Sequence, residues 1–424
     1  MIPRGARERA PLFSASRIPA VSDCTTVSGN LRGVLLLRNA DVYSPRPLGL
    51  QSLLIGGGTV LWMGAGRDLP ALPAALAAGA VEVDLAGLRL IPGLIDGHVH
   101  VTGGGGEAGF RTRVPAVPLT RYTLAGVTTV VGLLGTDDVT RGPRDLLAQI
   151  YALREEGLNA FGYAGGYHLP LATLTGSVRG DLVLLEPLLG IGELAISDHR
   201  SSQPTFEEIL RLAADAHVSG LMTGKAGVLH LHLGDGPRGL DFVRRALRES
   251  EIPARVFNPT HVNRRKALFD EAVALAGEGC FIDLTAFPVE DGEDAWSAAE
   301  GLQRYLASGA PADRVTISSD AGGCLPCFDT QGRVSSMDVG HSGALLETLR
   351  ALVDGGTPLE IALPAFTANP ARLLHLAGKG RVAAGADADL VALNATGGAH
   401  TVIIRGEIHA QNGQAVRRGT FENR

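Results

Sequence analysis

Eight short apolar segments, each followed by a helix-compatible or loop stretch, constrain the fold of this 424-residue chain more than any other feature. The intervening stretches 205–220 and 264–279 carry apolar residues at helical spacing. This alternation predicts an α/β fold, a (β/α)8 barrel of the TIM type, in which functional side chains gather at the carboxyl ends of the strands. The predicted strands are 90–96, 126–134, 160–165, 190–197, 227–233, 254–259, 280–286 and 314–320.

The two ends of the chain differ from the middle. Residues 34–66 and 381–424 consist of short β-prone runs separated by turns that contain glycine or proline. Such runs at both termini predict one small antiparallel domain assembled from the two ends. We therefore expect a small β-sandwich domain from 33–89 and 379–424, a barrel at 90–378, and a poorly ordered N-terminal extension at 1–32.

Composition argues against several classes of partner. The formal charge is -6 and the pI is about 6.1, so neither nucleic acid nor an anionic membrane is expected to bind. No apolar run approaches the roughly 18 residues of a membrane span, and the N-terminus lacks the pattern of a secretory signal. Four cysteines in a chain of this length do not make a disulfide framework, which favours a reducing, cytoplasmic location.

The first predicted strand ends in a pair of histidines, followed by four glycines and Glu107. His98 and His100 are two residues apart, and side chains two apart on a strand point to the same side. Two imidazoles at one point are typical of a site for a divalent metal such as zinc. Two polar residues at a strand end would look the same in isolation, but compatible residues recur downstream.

Metal-compatible side chains occur on four further predicted strands or directly after them. Glu193 lies within the fourth strand, and His232 lies within the fifth. His261 follows the sixth strand, and Asp320 closes the eighth. The carboxyl ends of barrel strands meet at one face, so we expect these side chains to converge with the histidine pair.

With these positions in view, the sequence resembles the isoaspartyl dipeptidases, a metallopeptidase family of the amidohydrolase superfamily. The resemblance runs from about Leu35 to the C-terminus. The H-x-H pair is shared by the whole superfamily, whereas the glycine-rich and arginine-containing motifs are more specific. The motifs are PGLIDGHVH, GGGGEAG, GVTTVVGLLGTD, GGYHLP, AISDHR, HLGD, PTHVNR, TISSD and TANPAR.

The resemblance implies two divalent metal ions, usually zinc, with a bridging hydroxide at the mouth of the barrel. The motif HLGD favours His232 as a ligand over His230, which would take its place only if the strand register shifted. The implied ligands are His98, His100 and Asp320 for one ion, and His232 and His261 for the other.

The bridging ligand departs from the family pattern. Many relatives place a carbamylated lysine before AISDHR, and this chain has Glu193, preceded by Gly192. A glutamate also offers a carboxylate that can bridge two ions. Its side chain is shorter than a carbamylated lysine by about three bonds, at roughly 1.5 Å per bond. Gly192 would permit a compensating close approach of the backbone. The alternative is a weakened or mononuclear site; Lys225, before the fifth strand, is at the wrong end of the barrel to substitute.

The implied activity is hydrolysis of β-aspartyl dipeptides. Asp320 is the implied proton carrier between the hydroxide and the leaving amine. Tyr167 is the implied stabiliser of the tetrahedral oxyanion, although a buried core tyrosine is an alternative. The implied partner is a small dipeptide, and relatives commonly form homo-oligomers, often octamers.

Substrate contacts follow from charge complementarity. Glu107, after the glycine loop, is suited to the substrate ammonium, and Thr136 would add a hydrogen bond near it. Arg200 and Arg264 follow ligand-bearing strands and are suited to carboxylates. Cys324 stands where the family usually has a serine that contacts substrate, and a thiol is a weaker hydrogen-bonding partner.

Two other functions compete with this interpretation. Another amidohydrolase, acting on N-acyl amino acids or cyclic amides, would have no substrate ammonium for Glu107. A non-catalytic barrel scaffold would be expected to lose metal ligands, whereas here one implied ligand is replaced by another competent one. The glutamate at position 193 further predicts activity that does not depend on carbon dioxide.

Overall fold

The computed structural model describes residues 33–71, 79–328, 331 and 334–422, and the prediction for 1–32 lies outside these residues. The strands are β1 (Leu35–Ser44), β2 (Arg46–Gly56), β3 (Thr59–Gly64), β4 (Val81–Asp84), β5 (Arg89–Pro92), β6 (Leu94–Val99), β7 (Val127–Gly132), β8 (Asn159–Ala164), β9 (Leu188–Ile196), β10 (Leu229–Leu233), β11 (Phe257–Thr260), β12 (Ile282–Thr285), β13 (Val315–Ser318), β14 (Cys324–Phe328), β15 (Val334–Val339), β16 (Leu390–Leu393), β17 (Ala399–Ile404), β18 (Glu407–Gln411) and β19 (Gln414–Ala415). The α-helices are α1 (Leu119–Thr123), α2 (Pro143–Glu155), α3 (Val178–Leu184), α4 (Phe206–Thr223), α5 (Asp241–Glu249), α6 (Lys266–Gly277), α7 (Ala298–Ala307), α8 (Gly343–Asp354), α9 (Leu359–Ala362) and α10 (Ala368–Leu373).

Eight parallel strands follow one another in chain order through the middle of the chain. Strands β6 to β11 form one parallel sheet, and β12 and β13 form a parallel pair. Each of the eight predicted segments overlaps one of these strands. The Thr260 hydroxyl on β11 donates to Asp283 on β12, and a parallel bridge joins Val99 on β6 to Ala321 after β13. The alternation that the sequence predicts is therefore present.

Both chain ends contribute to one nine-stranded sheet, ordered β19-β18-β17-β16-β5-β1-β2-β3, with β4 also paired to β1. The expectation of an antiparallel domain was wrong in one respect, because β1 pairs in parallel with both β4 and β5. The sheet is therefore mixed. Its core includes wholly buried Leu37, Leu53, Leu90, Leu390 and Ile403.

The first predicted barrel strand is divided at Gly93. Residues Arg89–Pro92 pair with β1 and β16 of the terminal sheet, whereas Leu94–Val99 begins the parallel sheet. A Cβ at position 93 would lie 2.1 Å from the Thr128 hydroxyl oxygen, so only glycine allows this close approach. The chain passes from one sheet to the other here.

Helix boundaries follow local signals. Helix α4 begins with a capping box, in which Thr205 and Glu208 satisfy each other's backbone N–H groups, and it ends at Gly224 in the left-handed conformation. The predicted helical stretches 205–220 and 264–279 coincide with α4 and α6. None of the described helices combines the length and apolarity that a membrane crossing requires.

Candidate metal centre and cavity

The histidine pair and Asp320, which follows β13, converge at the carboxyl end of β6. His98 is fully buried and His100 nearly so, and their ring centroids are 5.5 Å apart. Asp320 Oδ1 lies 3.3 Å from His98 Nε2 and 3.0 Å from His100 Nε2. The period of the strand brings the imidazoles to one side, and the parallel arrangement brings the aspartate to them.

Glu193 lies between this cluster and the second pair of histidines. Its Oε1 is 3.6 Å from His100 Nε2, and its Oε2 is 2.9 Å from His232 Nδ1 and 3.6 Å from His261 Nε2. Burial favours the protonated acid, but the imidazoles of His98 and His232 outweigh it and hold the pKa of Glu193 well below its usual range. The central group is therefore a carboxylate.

Gly192 lets the Glu193 strand approach its neighbour closely. A Cβ at this position would lie 2.8 Å from both the backbone oxygen and the Cβ of His230 on β10, which is closer than real contacts allow. From the sequence we expected Gly192 to let the backbone come closer and so offset the shorter side chain of Glu193. The close spacing between Gly192 and His230 agrees with that expectation.

Replacing Gly192 by alanine is expected to lower the free energy of unfolding by about 1–3 kcal/mol, because the added methyl must push β9 from β10. Chemical denaturation of the apo protein measures this. Gly277→Ala is the matched control, since a Cβ there meets nothing within 4 Å. Equal stability of Gly192→Ala and wild type would contradict the close-approach argument.

The residues present fit a divalent cation. Two overlapping groups bring ligand atoms within 4.8 Å of one another: His98, His100 and Asp320, and His98, Glu193 and His261. Among the described residues, His98 Nε2 and Asp320 Oδ1 are buried without a hydrogen-bond partner, which buried polar atoms rarely are. Although burial disfavours the charged form, Glu193 and Asp320 raise the pKa of His98 to about 9, so the cluster favours positive charge.

Two of these residues have unusual backbone conformations. His261 and Asp320 have φ values of 59° and 53°, in the left-handed region that non-glycine residues seldom adopt. Each conformation costs on the order of 1–3 kcal/mol and persists where surrounding contacts determine it, as at functional sites. The turn that follows each strand thus aims the His261 or Asp320 side chain at the cluster.

Asp198 is a central residue to which the sequence analysis assigned no role. Its carboxylate accepts bonds from Arg200 Nη2 at 2.8 Å and the Tyr167 hydroxyl at 3.3 Å, and Oδ2 lies 3.1 Å from His232 Nε2. Burial alone would raise the pKa of Asp198, but bonds from His232 and Arg200 lower it far below normal. Its position two residues before Arg200 in the SDHR motif was the available signal.

A cavity of about 680 Å³ opens over the cluster. Arg200 Nη1 lies 3.6 Å from Glu107 Oε1, so two predicted substrate contacts already face each other. Arg264 Nη1 donates to the Leu233 carbonyl at 2.5 Å. The cavity contains the predicted positions His100, Glu107, Thr136, Tyr167, Glu193, Arg200, His232, His261, Arg264, Asp320 and Cys324, and His98 lies buried beneath it.

Tyr167 and Cys324 both keep their protons at neutral pH. Burial raises the pKa of Tyr167 well above its usual value, and burial together with the Glu107 carboxylate raises the pKa of Cys324 to about 12. Both groups can therefore donate hydrogen bonds. Lys225, considered above as a substitute bridge, instead donates to the Leu182 and Leu185 carbonyls, away from the cluster.

Comparison with known proteins gives related sequences and related folds. A sequence profile described as the amidohydrolase family matches residues 230–409. The chain is similar to the β-aspartyl dipeptidase of Fervidobacterium islandicum in complex with β-Asp-Leu, with 41% identity, a TM-score of 0.85, and coverage of 90% of this chain and 97% of that chain. A second structure of that enzyme is 39% identical, with a TM-score of 0.82 and coverage of 90% and 98%. An imidazolonepropionase of Anaeromyxobacter dehalogenans is 29% identical over 84% of this chain and 89% of its own length.

Proposed function

Because the chain belongs to the β-aspartyl dipeptidase family of the amidohydrolase superfamily, we propose that it hydrolyses β-aspartyl dipeptides in a metal-dependent reaction. The observation that carries this proposal is the placement of Glu107, Arg200 and Arg264 in the same cavity as the metal-binding groups. A β-aspartyl dipeptide has one ammonium and two carboxylates, which is the complement of these three charges. An N-acylated or cyclic amide would leave Glu107 without a cationic partner.

The proposal includes the architecture. We take the eight parallel strands to complete a (β/α)8 barrel, with residues 33–89 and 379–424 as a separate small β-sandwich domain. Support for closure comes from the contacts between β11 and β12 and between β6 and the end of β13. The active site then lies at the carboxyl ends of the strands, as in other barrels of this type.

We assign two zinc ions to the centre. His98, His100 and Asp320 would hold one, and His232 and His261, whose ring centroids are 4.6 Å apart, would hold the other. Glu193, with one oxygen towards His100 and the other towards His232, is the proposed bridge. When bound, the ions supply a water of lowered pKa and polarise the scissile carbonyl.

Asp320 and Tyr167 supply the remaining chemistry. Burial would raise the pKa of Asp320, but His100 and His98 lower it far below normal, so the group is an ionised carboxylate that can accept a proton from the attacking water. Asp320 then returns that proton to the departing amine nitrogen. The Tyr167 hydroxyl, which donates to Asp198 at 3.3 Å in the free protein, would turn its proton to the developing oxyanion when substrate binds.

Recognition uses the charges that line the cavity. Glu107 pairs with the ammonium, Arg200 and Arg264 pair with the carboxylates, and Thr136 and Cys324 add hydrogen bonds. In the free protein, Arg200 is neutralised by Asp198 and Glu107 together. A zwitterionic dipeptide can join this network without leaving a buried charge unpaired.

The test is a comparison of three substrates on zinc-loaded protein: β-Asp-Leu, α-Asp-Leu and N-acetyl-β-Asp-Leu. We expect kcat/KM for β-Asp-Leu to exceed the other two by roughly 10- to 150-fold or more, since each misplaced charged contact costs about 1.5–3 kcal/mol. Equal cleavage of the acetylated substrate would favour the alternative amidohydrolase. Failure to cleave any of the three would contradict the proposed substrate class.

A homo-oligomer and a cytoplasmic location stay predictions.

A further inference from the structure

We propose that His230 is a positioning residue that orients His98 so that its Nε2 lone pair faces the metal-binding groups. The inference rests on the metal centre of the proposed function. His230 lies on β10, two residues before the proposed ligand His232. From the sequence alone it was predicted to be a ligand only if the strand register shifted. The structure assigns it a different task.

A chain of hydrogen bonds runs from the backbone just before β12 towards the centre. His230 and Asn258 are cross-strand neighbours on β10 and β11, and His230 Nδ1 lies 2.7 Å from Asn258 Oδ1. His230 Nε2 lies 2.8 Å from His98 Nδ1. At the outer end, Asn258 Nδ2 donates to the Phe281 carbonyl at 3.5 Å. All three side chains are almost wholly buried.

The backbone carbonyl sets the direction of every proton in this chain. The reversed amide of Asn258 would place its oxygen against the Phe281 carbonyl, two acceptors facing each other, so Oδ1 points to His230. His230 Nδ1 must then carry the proton, which leaves Nε2 of the neutral ring as an acceptor. His98 Nδ1 donates to that acceptor, so the neutral ring that would bind a metal ion has its lone pair on Nε2.

The same contacts make His230 unsuitable as a ligand. One of its ring nitrogens faces Asn258 and the other faces His98 Nδ1, whereas His232 Nδ1 faces the carboxylate of Glu193 at 2.9 Å. The ring stacks on Tyr163 at 4.8 Å between centroids and 8° between planes, and Gly192 packs against its backbone. Confined on these sides, the ring is held where it can serve as acceptor for His98.

A wrong tautomer at His98 would place a proton on the atom that must bind the ion. Groups that hold a ligating histidine in orientation typically contribute 10–100-fold in metal affinity. His230→Phe keeps the aromatic stacking but removes the acceptor, whereas His230→Gln keeps an acceptor for the His98 Nδ1 proton. The two variants separate hydrogen bonding from packing.

The experiment is a zinc titration of the apo protein against a chromophoric chelator, with the number of bound ions counted by elemental analysis. We expect His230→Phe to lower the affinity for one of the two zinc ions by roughly 10–100-fold, and we expect His230→Gln to recover most of that affinity. If His230→Phe fails to fold, Asn258→Leu, which touches no proposed ligand directly, should lower the affinity for the same ion. His409→Gln, at a buried histidine of the terminal sheet, is the control and should bind both ions as wild type does.

Three results would overturn the inference. Unchanged affinity in folded His230→Phe or Asn258→Leu would show that the hydrogen bonds do not matter. A zinc-loaded crystal structure with a His230 nitrogen bonded to zinc would make it a ligand. Wild-type protein that binds no zinc would refute the metal centre of the proposed function and the inference with it, whereas the first two results leave that centre intact.

Discussion

Replacing Asp320 by asparagine is expected to lower kcat for β-Asp-Leu by roughly 1,000- to 10,000-fold, at the upper end of what a positioned proton carrier contributes. Asp320 Oδ1 lies 3.3 Å from His98 Nε2 and 3.0 Å from His100 Nε2, and the carboxylate is ionised at neutral pH. An asparagine keeps the shape but neither accepts the proton nor returns it to the leaving amine. The measurement is kcat at saturating substrate, with zinc content determined in parallel so that loss of chemistry is separated from loss of metal.

Asp181→Asn is the matched control for this variant. Asp181 is as buried as Asp320, but it accepts hydrogen bonds from Leu174 and Thr175 outside the cavity. Its loss should lower stability by about 1–3 kcal/mol and leave kcat unchanged. If Asp320→Asn retained wild-type kcat with both ions bound, Asp320 would not be the proton carrier.

Replacing Glu193 by glutamine should remove at least one zinc ion and lower kcat by roughly 100-fold or more, since a neutral amide cannot balance two cations as a bridging carboxylate does. Glu193 faces His100 through one oxygen and His232 through the other.

The same geometry leads to a second expected result for the wild type. Apo protein reconstituted with zinc in carbon dioxide-free buffer should be fully active, and added bicarbonate should change nothing.

Glu271→Gln serves as the control for Glu193→Gln, because Glu271 pairs with Arg244 and the Leu240 N–H outside the cavity. It should bind two zinc ions and keep wild-type kcat. A gain of wild-type activity on adding bicarbonate would mean that a carbamate forms elsewhere and would contradict the glutamate bridge.

Much of the fold was predictable because it depends on local periodicity. Eight apolar segments at regular intervals predicted eight strands, and each overlaps an observed one. The alternation of side chains along a strand predicted that His98 and His100 point together, and the rule that functional groups sit at strand ends predicted convergence with Asp320. These predictions need only near neighbours along the chain and a shared strand direction.

Other features depended on distances between strands, which no local pattern contains. The transfer of Arg89–Pro92 to the terminal sheet follows from the contact of Gly93 with Thr128, and the role of Gly192 follows from its contact with His230. Asp198 was overlooked because its partners are distant in sequence: Tyr167 lies in the loop after β8, and His232 lies on β10.

The sequence by itself therefore determined which of these side chains lie at the carboxyl ends of the parallel strands, because period and strand order decide that. Only the tertiary structure decided how those side chains are oriented. The hydrogen-bond chain from the Phe281 carbonyl to His98 starts just before β12 and crosses β11 and β10 to β6. Its direction is set by a single backbone acceptor, and such a constraint exists only once the strands are packed.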